Sequence, residues 1–342
     1  MRLNFRSASA FASKKAKEYL QGKNPEDIKN IAVIRHAAIG DFMNIRPFLI
    51  GMREFFPNAK ITLSVNSSAV YGLPQDLVDE IHVMDKVCPK DKSKKTGLFY
   101  RIRQAKTLKQ QDIIFDLTDS TLSLWITFLS GAKLKVGYPY RSIRRYFYDM
   151  ATLRSEYVLE ADSVQHMLNM LGYKNNAPLR YGFEEKYPKN VVNQIVYFAG
   201  ASANFKCWEQ EKFKSLIEKL SDRYPSDKHI ILQGVNASEK FLDLYESLKE
   251  RTNVLLQKAM PLDEAMQFLS NSKCVIANDT GLRNMAIAVE TPTVGIFFMT
   301  GAFRYWPRDG KHDCVFNPDH TSPNIESVYL STVALIDKIY AK

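Results

Sequence analysis

Three short stretches carry residue types suited to a phosphorylated substrate. In "NDTGLRNMAIA", residues 278–288, a carboxylate, a hydroxyl and a glycine stand between an apolar run and a helical pattern. A helix opening there turns its unbonded backbone N–H groups and its positive dipole end toward any anion. Asp279 or Thr280 can cap that helix while the amides around Gly281 hold a phosphate, so capping and ligand binding are compatible. In "FAGASANFKCWEQEKF", residues 198–213, a small-residue loop carries Ser202 and Lys206. A directed donor and a positive charge make a cradle for a diphosphate, and an ordinary surface lysine fits the same loop equally well. In "IGD", residues 39–41, Asp41 either caps a helix or accepts a proton from a substrate hydroxyl, and Gly40 permits a tight turn or the close approach of a ligand.

Other chemistries lack their motifs. The chain has no GxGxxG after a strand and no GxxxxGK[ST], and "DLTD" sets Asp116 and Asp119 three apart, so no metal pair of the DxD kind is present. His36 and His166 are isolated. Cys88, Cys207, Cys274 and Cys314 are widely spaced and read as reduced thiols rather than as a zinc site or disulfide framework. No metal is expected.

These loops need strands and helices to aim them. Residues 31–35 are apolar and rich in β-branched side chains, and beyond the loop a helical pattern places Phe42, Ile45, Leu49, Met52 and Phe56 three or four apart. Pro47 fits such a helix if it falls in the first turn. Strands are expected at 61–65, 113–116 and 134–137. Residues 175–190 interrupt the periodicity and read as a linker. Strands are then expected at 195–199, 229–233, 253–256, 274–277 and 293–298, alternating with helices at 209–221, 238–250, 262–271 and 280–289. That alternation implies parallel sheets with right-handed crossovers, hence two doubly wound domains facing each other across a cleft, with ligands beyond the carboxyl ends of the strands.

With 342 residues, 45% of them hydrophobic, the chain can build two ordinary cores. Its 47 Lys and Arg against 37 Asp and Glu give a formal charge of +10, which favours anionic partners. From Lys86 to Gln110 there are nine basic residues and one acid. In "GYPYRSIRRYFYD" Arg141, Arg144 and Arg145 mix with aromatics, which suits a sugar-phosphate, a lipid headgroup or RNA. The basic leader, residues 1–29, lacks the continuous apolar stretch of a signal peptide. It is expected either to pack on its domain or remain loose, or else to form an interfacial helix dipping Leu3, Phe5, Phe11 and Leu20 into headgroups.

Taken in order, "IGD" with Pro47 and "FPNAKITLSV", "DLTDSTLS", "GASANFKCWEQEKF" and "AMPLDEAMQFLSNSKCVIANDTGLRNMAIAVETPTVGIFF" resemble glycosyltransferase family 9, the bacterial heptosyltransferases of the lipopolysaccharide inner core. The resemblance spans roughly residues 30–340. It implies an α/β GT-B fold with an acceptor-binding domain at 1–180 and a nucleotide-sugar-binding domain at 190–324. A final helix, 325–342, would return to pack on the N-terminal domain. It further implies inversion at the anomeric carbon with no metal or other cofactor. Asp41 would be the general base. Ser202 and Lys206 would hold the donor diphosphate, Met260 would pack near the adenine, and Asp279, Thr280 and Gly281 would bind sugar and phosphates. Asn236 or Glu239 would serve the ribose.

Asn284 stands where the family usually has His, and Thr118-Asp119 where it has Gln-Gly. Asn284 can still donate to a phosphate but cannot become a cation. The expected partners are ADP-heptose and an anionic glycolipid acceptor, which Arg141, Arg144 and Arg145 would attract. That places the protein in the cytoplasm, in peripheral contact with the inner membrane. A different nucleotide sugar is the alternative donor. A non-catalytic protein binding RNA or a membrane surface leaves Asp41, Lys206 and residues 279–281 unexplained as a set, so no nucleic-acid partner is expected.

Overall fold

The computed structural model describes residues 1, 9–69, 71–85, 87–88, 91–108, 110–175, 177–235 and 241–340. The chain divides into two units, Met1–Ser155 with Glu160–Arg180, and Glu156–Leu159 with Tyr181–Lys342. In the first unit the strands are β1 (Ala10–Ala12), β2 (Asn30–Ile34), β3 (Lys60–Asn66), β4 (Glu80–Met84), the hairpin β5 (Val87–Cys88) and β6 (Asp91–Lys95), β7 (Ile113–Asp116), β8 (Leu134–Gly137) and β9 (Met150–Thr152). The helices are α1 (Lys14–Leu20), α2 (Ile39–Phe55), α3 (Leu98–Lys106), α4 (Thr121–Leu129) and α5 (Glu160–Met170). The main sheet has the order β1-β9-β8-β7-β2-β3-β4, parallel throughout except for β1 against β9. From β2 the chain builds outward through β3 and β4, then returns to add β7, β8 and β9 on the other side. The order reverses between β2 and β7, so the loops after these two strands flank a switch point.

β2 reads as a continuous apolar run because both of its faces are buried. Ile31 and Val33 point into a core with Phe42, Ile45 and Leu49 of α2 and Val164 and Leu168 of α5. Ala32 and Ile34 point the other way, against Ala105, Leu108 and Ile126.

The second unit repeats the plan with β10 (Val192–Phe198), β11 (Lys228–Leu232), β12 (Val254–Gln257), β13 (Ser272–Asn278), β14 (Thr293–Phe297) and β15 (His312–Phe316). Its helices are α6 (Gln210–Arg223), α7 (Leu242–Glu246), α8 (Leu262–Ser270), α9 (Gly281–Ala288) and α10 (Ile325–Tyr340). The sheet, β12-β11-β10-β13-β14-β15, is parallel, and its order reverses between β10 and β13. The architecture is α/β, two doubly wound Rossmann-like sheets. No helix of the described residues is long and apolar enough to cross a membrane.

α10 belongs to the second unit. It packs on α6 and β13–β15, burying Val328, Leu335 and Ile336, with Tyr224 donating to Asp337 at 2.9 Å and Tyr340 to the Lys273 carbonyl at 3.0 Å. Pro47 lies deep inside α2, because the helix starts at Ile39 rather than near Phe42. Its missing N–H therefore leaves the Met43 carbonyl without its usual helical partner. Gly40 is not at positive φ and makes no left-handed turn. The leader packs on its own unit from residue 9 onward. β1 pairs with β9, and Ala16 and Leu20 of α1 enter the core rather than a headgroup layer; Leu3 and Phe5 lie outside the described residues.

Candidate functional site

In the second unit, the chain leaves β10 into the loop 199–209 and leaves β13 directly into α9. Asn278, the last residue of β13 and fully buried, ties these two exits together. Its amide donates to the carbonyls of Ala199 (2.7 Å) and Gly200 (3.2 Å), and its carbonyl accepts from the Trp208 N–H (3.0 Å). The brace brings Lys206 to Asp279, with Nζ 3.2 Å from Oδ2. The same oxygen accepts from the Thr300 hydroxyl at 2.7 Å, so the exits of β10, β13 and β14 converge on one carboxylate. Thr280 caps α9 by accepting from the Arg283 N–H, and Gly281 is the first helical residue. The cap thus falls to Thr280, which frees Asp279 to face Lys206. Because the lysine and aspartate balance, net attraction for an anion has to come from the amides at the start of α9.

Beneath the helix, Arg283 is buried, with its guanidinium donating to the Tyr305 carbonyl (2.8 Å) and to Cys314 Sγ (3.1 Å) and lying 5.2 Å from the Phe297 ring centroid. Gly295 leaves room for it: a Cβ there would sit 2.4 Å from Arg283 Nε and 2.7 Å from the Phe297 ring. Asn284 is buried on the same helix. Ser202 is exposed, and Met260 is half-buried in the loop after β12; neither is drawn into the Lys206–Asp279 contact. Asn236 and Glu239 lie outside the described residues.

In the first unit, Asp41 occupies the third residue of α2, and the N-cap is Ala38, which has no side-chain oxygen to offer. Asp41 Oδ2 therefore reaches back to the Ala38 N–H only weakly, at 3.4 Å. Its Oδ1 is held at 2.6 Å by Nη2 of the buried Arg35, whose Nη1 contacts Glu160 Oε1 at 2.9 Å and the Leu117 carbonyl at 2.6 Å. Burial works against the charge on Arg35, but Asp41 and Glu160 outweigh it and hold the guanidinium above its ordinary value. Glu160, 1% exposed, also takes Arg154 at 3.1 Å. The exits of β2 and β7 are tied by Thr118, whose hydroxyl accepts from the His36 N–H (2.9 Å) and donates to the Ile34 carbonyl (3.2 Å).

The arginines of the 141–147 turn divide. Arg144 reaches the exit of β7, 3.6 Å from Asp119 and 3.2 Å from the Thr121 hydroxyl. Arg145 lies over the rings of Phe11 and Tyr146, and Arg141 over Tyr140. Buried Asp116 is held above the usual carboxylate range by desolvation and accepts from the Tyr148 hydroxyl at 2.6 Å. It shapes its loop by accepting from the Thr118 and Asp119 N–H groups. Among the described residues, no group of three or more His, Cys, Asp or Glu is arranged to hold a metal.

The family model for glycosyltransferase family 9 (heptosyltransferase) matches residues 101–331. The chain belongs to glycosyltransferase family 9. It is a glycosyltransferase with the GT-B fold. It is 20% identical over 331 residues to lipopolysaccharide heptosyltransferase 3 of Escherichia coli, covering 88% of this chain and 95% of that one. In fold it is similar to E. coli heptosyltransferase WaaC with ADP-2-deoxy-2-fluoro heptose, at TM-score 0.68 and 16% identity over 89% of this chain and 98% of that one. It is also similar to a family 9 glycosyltransferase from Veillonella parvula, at TM-score 0.67 and 17% identity over 91% and 97%.

Asp119 has φ +54°, a left-handed conformation that Asp tolerates better than most side chains.

Sequence reasoning missed Arg35, Glu160, Asn278 and Thr300. The signal for Arg35 was a cation ending an apolar strand six residues before a carboxylate. For Thr300 it was a hydroxyl just past the run "VGIFF". Asn278 and Glu160 announced themselves only as polar residues beside apolar periodicity.

Proposed function

We propose that this enzyme moves heptose from ADP-heptose, with inversion and without a metal, onto a hydroxyl of an anionic inner-core acceptor, Kdo or phospho-Kdo lipid A. It would act from the cytoplasm in peripheral contact with the inner membrane. The observation that carries the donor half is the convergence of Lys206, Asp279 and Thr300 at the open start of α9. As the anomeric C–O bond breaks, the electron pair leaves with the diphosphate, and that charge needs donors already in place. The amides around Gly281 and the ammonium of Lys206 supply them, with Ser202 as a further donor. Asp279, an acceptor, is suited to sugar hydroxyls rather than to phosphate. Met260 would cover the adenine and Asn284 would donate to a phosphate. Asp41, held by Arg35, takes the proton of the acceptor hydroxyl as its oxygen attacks. Arg144, with Arg141 and Arg145, favours an anionic acceptor. The family and the names of its relatives support heptose and lipopolysaccharide as substrates.

Asp41→Asn is expected to lower kcat by ~10²–10⁴-fold while ADP still raises the melting temperature. Lys206→Met should weaken that thermal stabilisation, and EDTA should leave turnover unchanged. Loss of ADP stabilisation in Asp41→Asn would remove Asp41 from the role of base. A second reading keeps the chemistry and changes the donor, favoured by the neutral Asn284 on α9. A panel of nucleotide sugars assayed for donor hydrolysis separates the two, because preference for a UDP or GDP sugar excludes heptose.

A further inference from the structure

We propose that the groove between α3 and α4 seats this protein on an anionic lipid bilayer, an assignment that rests on reading the acceptor as a membrane glycolipid. α4 turns apolar side chains to both of its sides, Leu124 and Ile126 being buried. Its sequence, TLSLWITFL, has no charged residue. The small polar Ser123 and Thr127 are fully buried, whereas Trp125 is 50% and Phe128 48% exposed. Leu122, Trp125 and Leu129 recur at three- and four-residue spacings on the outward side. A helix on a water-facing surface ordinarily keeps its outward side polar. Here the apolar side chains line a groove of about 540 Å³, formed chiefly by Ile102, Leu122, Trp125, Ile126 and Leu129, with Arg101 as the charged member of its lining.

The charge around this groove names the occupant. α3, LFYRIRQAK, carries Arg101, Arg103 and Lys106 and no acid. Lys135 lies 5.7 Å from the Phe128 ring centroid, and Arg144 bonds Thr121, the first residue of α4. An apolar face flanked by cations, with aromatics able to sit at headgroup depth, matches the interface of an anionic bilayer. A second copy of this chain is a poorer occupant, because a two-fold contact would bring the same cations together.

Sedimentation with phosphatidylcholine vesicles, with and without phosphatidylglycerol, tests the assignment. Of the three tryptophans, Trp208 is 1% exposed and Trp306 is half-buried with its indole N–H bonded to the His312 carbonyl, so brominated lipid should quench chiefly Trp125. Binding is expected to require phosphatidylglycerol. Trp125→Phe should keep binding and lose most of the quenching. Trp125→Glu with Phe128→Glu should weaken sedimentation about tenfold or more while ADP still raises the melting temperature, which shows the variant folded. Undiminished sedimentation of the double variant, or equal quenching in Trp125→Phe, overturns the assignment. So does finding that the double substitution abolishes self-association or RNA binding by a protein that never sediments with vesicles. Vesicle binding without ADP-heptose turnover would count against the donor, not against this surface.

Discussion

At the scale of single residues, the sequence exposes the acids and bases of the candidate site more readily than the groups that hold them. In the sequence Asp41, Lys206 and Asp279 read as loop residues between patterned elements, where a charge is conspicuous. Arg35 ends an apolar strand and reads as its last residue, yet its planar fork reaches Asp41, Glu160 and the Leu117 carbonyl at 2.6, 2.9 and 2.6 Å. A lysine ammonium carries the same charge but cannot span three acceptors in fixed directions. Arg35→Lys is therefore expected to lower kcat by about 10–100-fold through misplacement of Asp41, with ADP-dependent thermal stabilisation unchanged. It should also cost roughly 2–4 kcal/mol of stability, because the buried Glu160 would lose the directed bond that Arg35 gives it. Steady-state kinetics and urea unfolding measure the two effects. Normal kcat in a destabilised variant would reduce Arg35 to a structural role.

At the scale of elements, the candidate donor site depends on one side chain joining two strand exits. Asn278→Ala removes two donated bonds and one accepted bond, stranding the Ala199 and Gly200 carbonyls and the Trp208 N–H. A loss of about 2–4 kcal/mol is expected in urea unfolding, at ~1 kcal/mol per bond with a penalty for buried groups left unmet. Stabilisation by ADP should fall with it, because Lys206 rides on the freed loop. Unaltered ADP stabilisation would show that the loop holds its shape without the brace. Long, doubly buried strands were legible: β7 and β8 occupy the expected residues, and β2, β10, β13 and β14 differ at their ends. β1, β4, β9 and β15 were not expected, being short, peripheral in their sheets or polar in part, as in EIHVM and HDCVF. Neighbouring strands supply the order that their own patterns do not. The start of α2 was misjudged for a related reason, since Gly40 and Asp41 read as loop until Ala38 is seen to cap them.

For the whole molecule, the restart of strand–helix alternation near residue 190 revealed two units, whereas an apolar stripe such as that of α10 states that a helix packs but not on what. Burial of histidines is likewise a property only the folded chain displays. His312 is 5% exposed, and its Nδ1 lies 3.0 Å from the Thr293 hydroxyl. Burial, then Arg283 and Lys311, push its pKa from 6.5 down to about 3. Folded His312 thus stays neutral while the unfolded chain takes up a proton below about pH 6.5, so the unfolded state binds more protons and stability falls as pH drops from about 6.5 toward 3. At pH 5 this one residue should cost ~2 kcal/mol relative to neutral pH, at ~1.4 kcal/mol per unit. His82, His166 and His229 are lowered by burial as well and act in the same direction. Carboxylates held below their usual range, such as Asp112 and Glu290, lose their contribution only as pH approaches ~4, whereas Asp116, raised by desolvation, acts in the opposite sense to the histidines, so the share of His312 is read from its variant. Urea unfolding of the wild type and His312→Gln at pH 7.5, 6 and 5 should give curves of stability against pH that diverge, the variant losing about 2 kcal/mol less by pH 5. Parallel curves would mean that His312 gains a proton freely in the folded state, and that the buried pairing of β15 with β14 admits a charge.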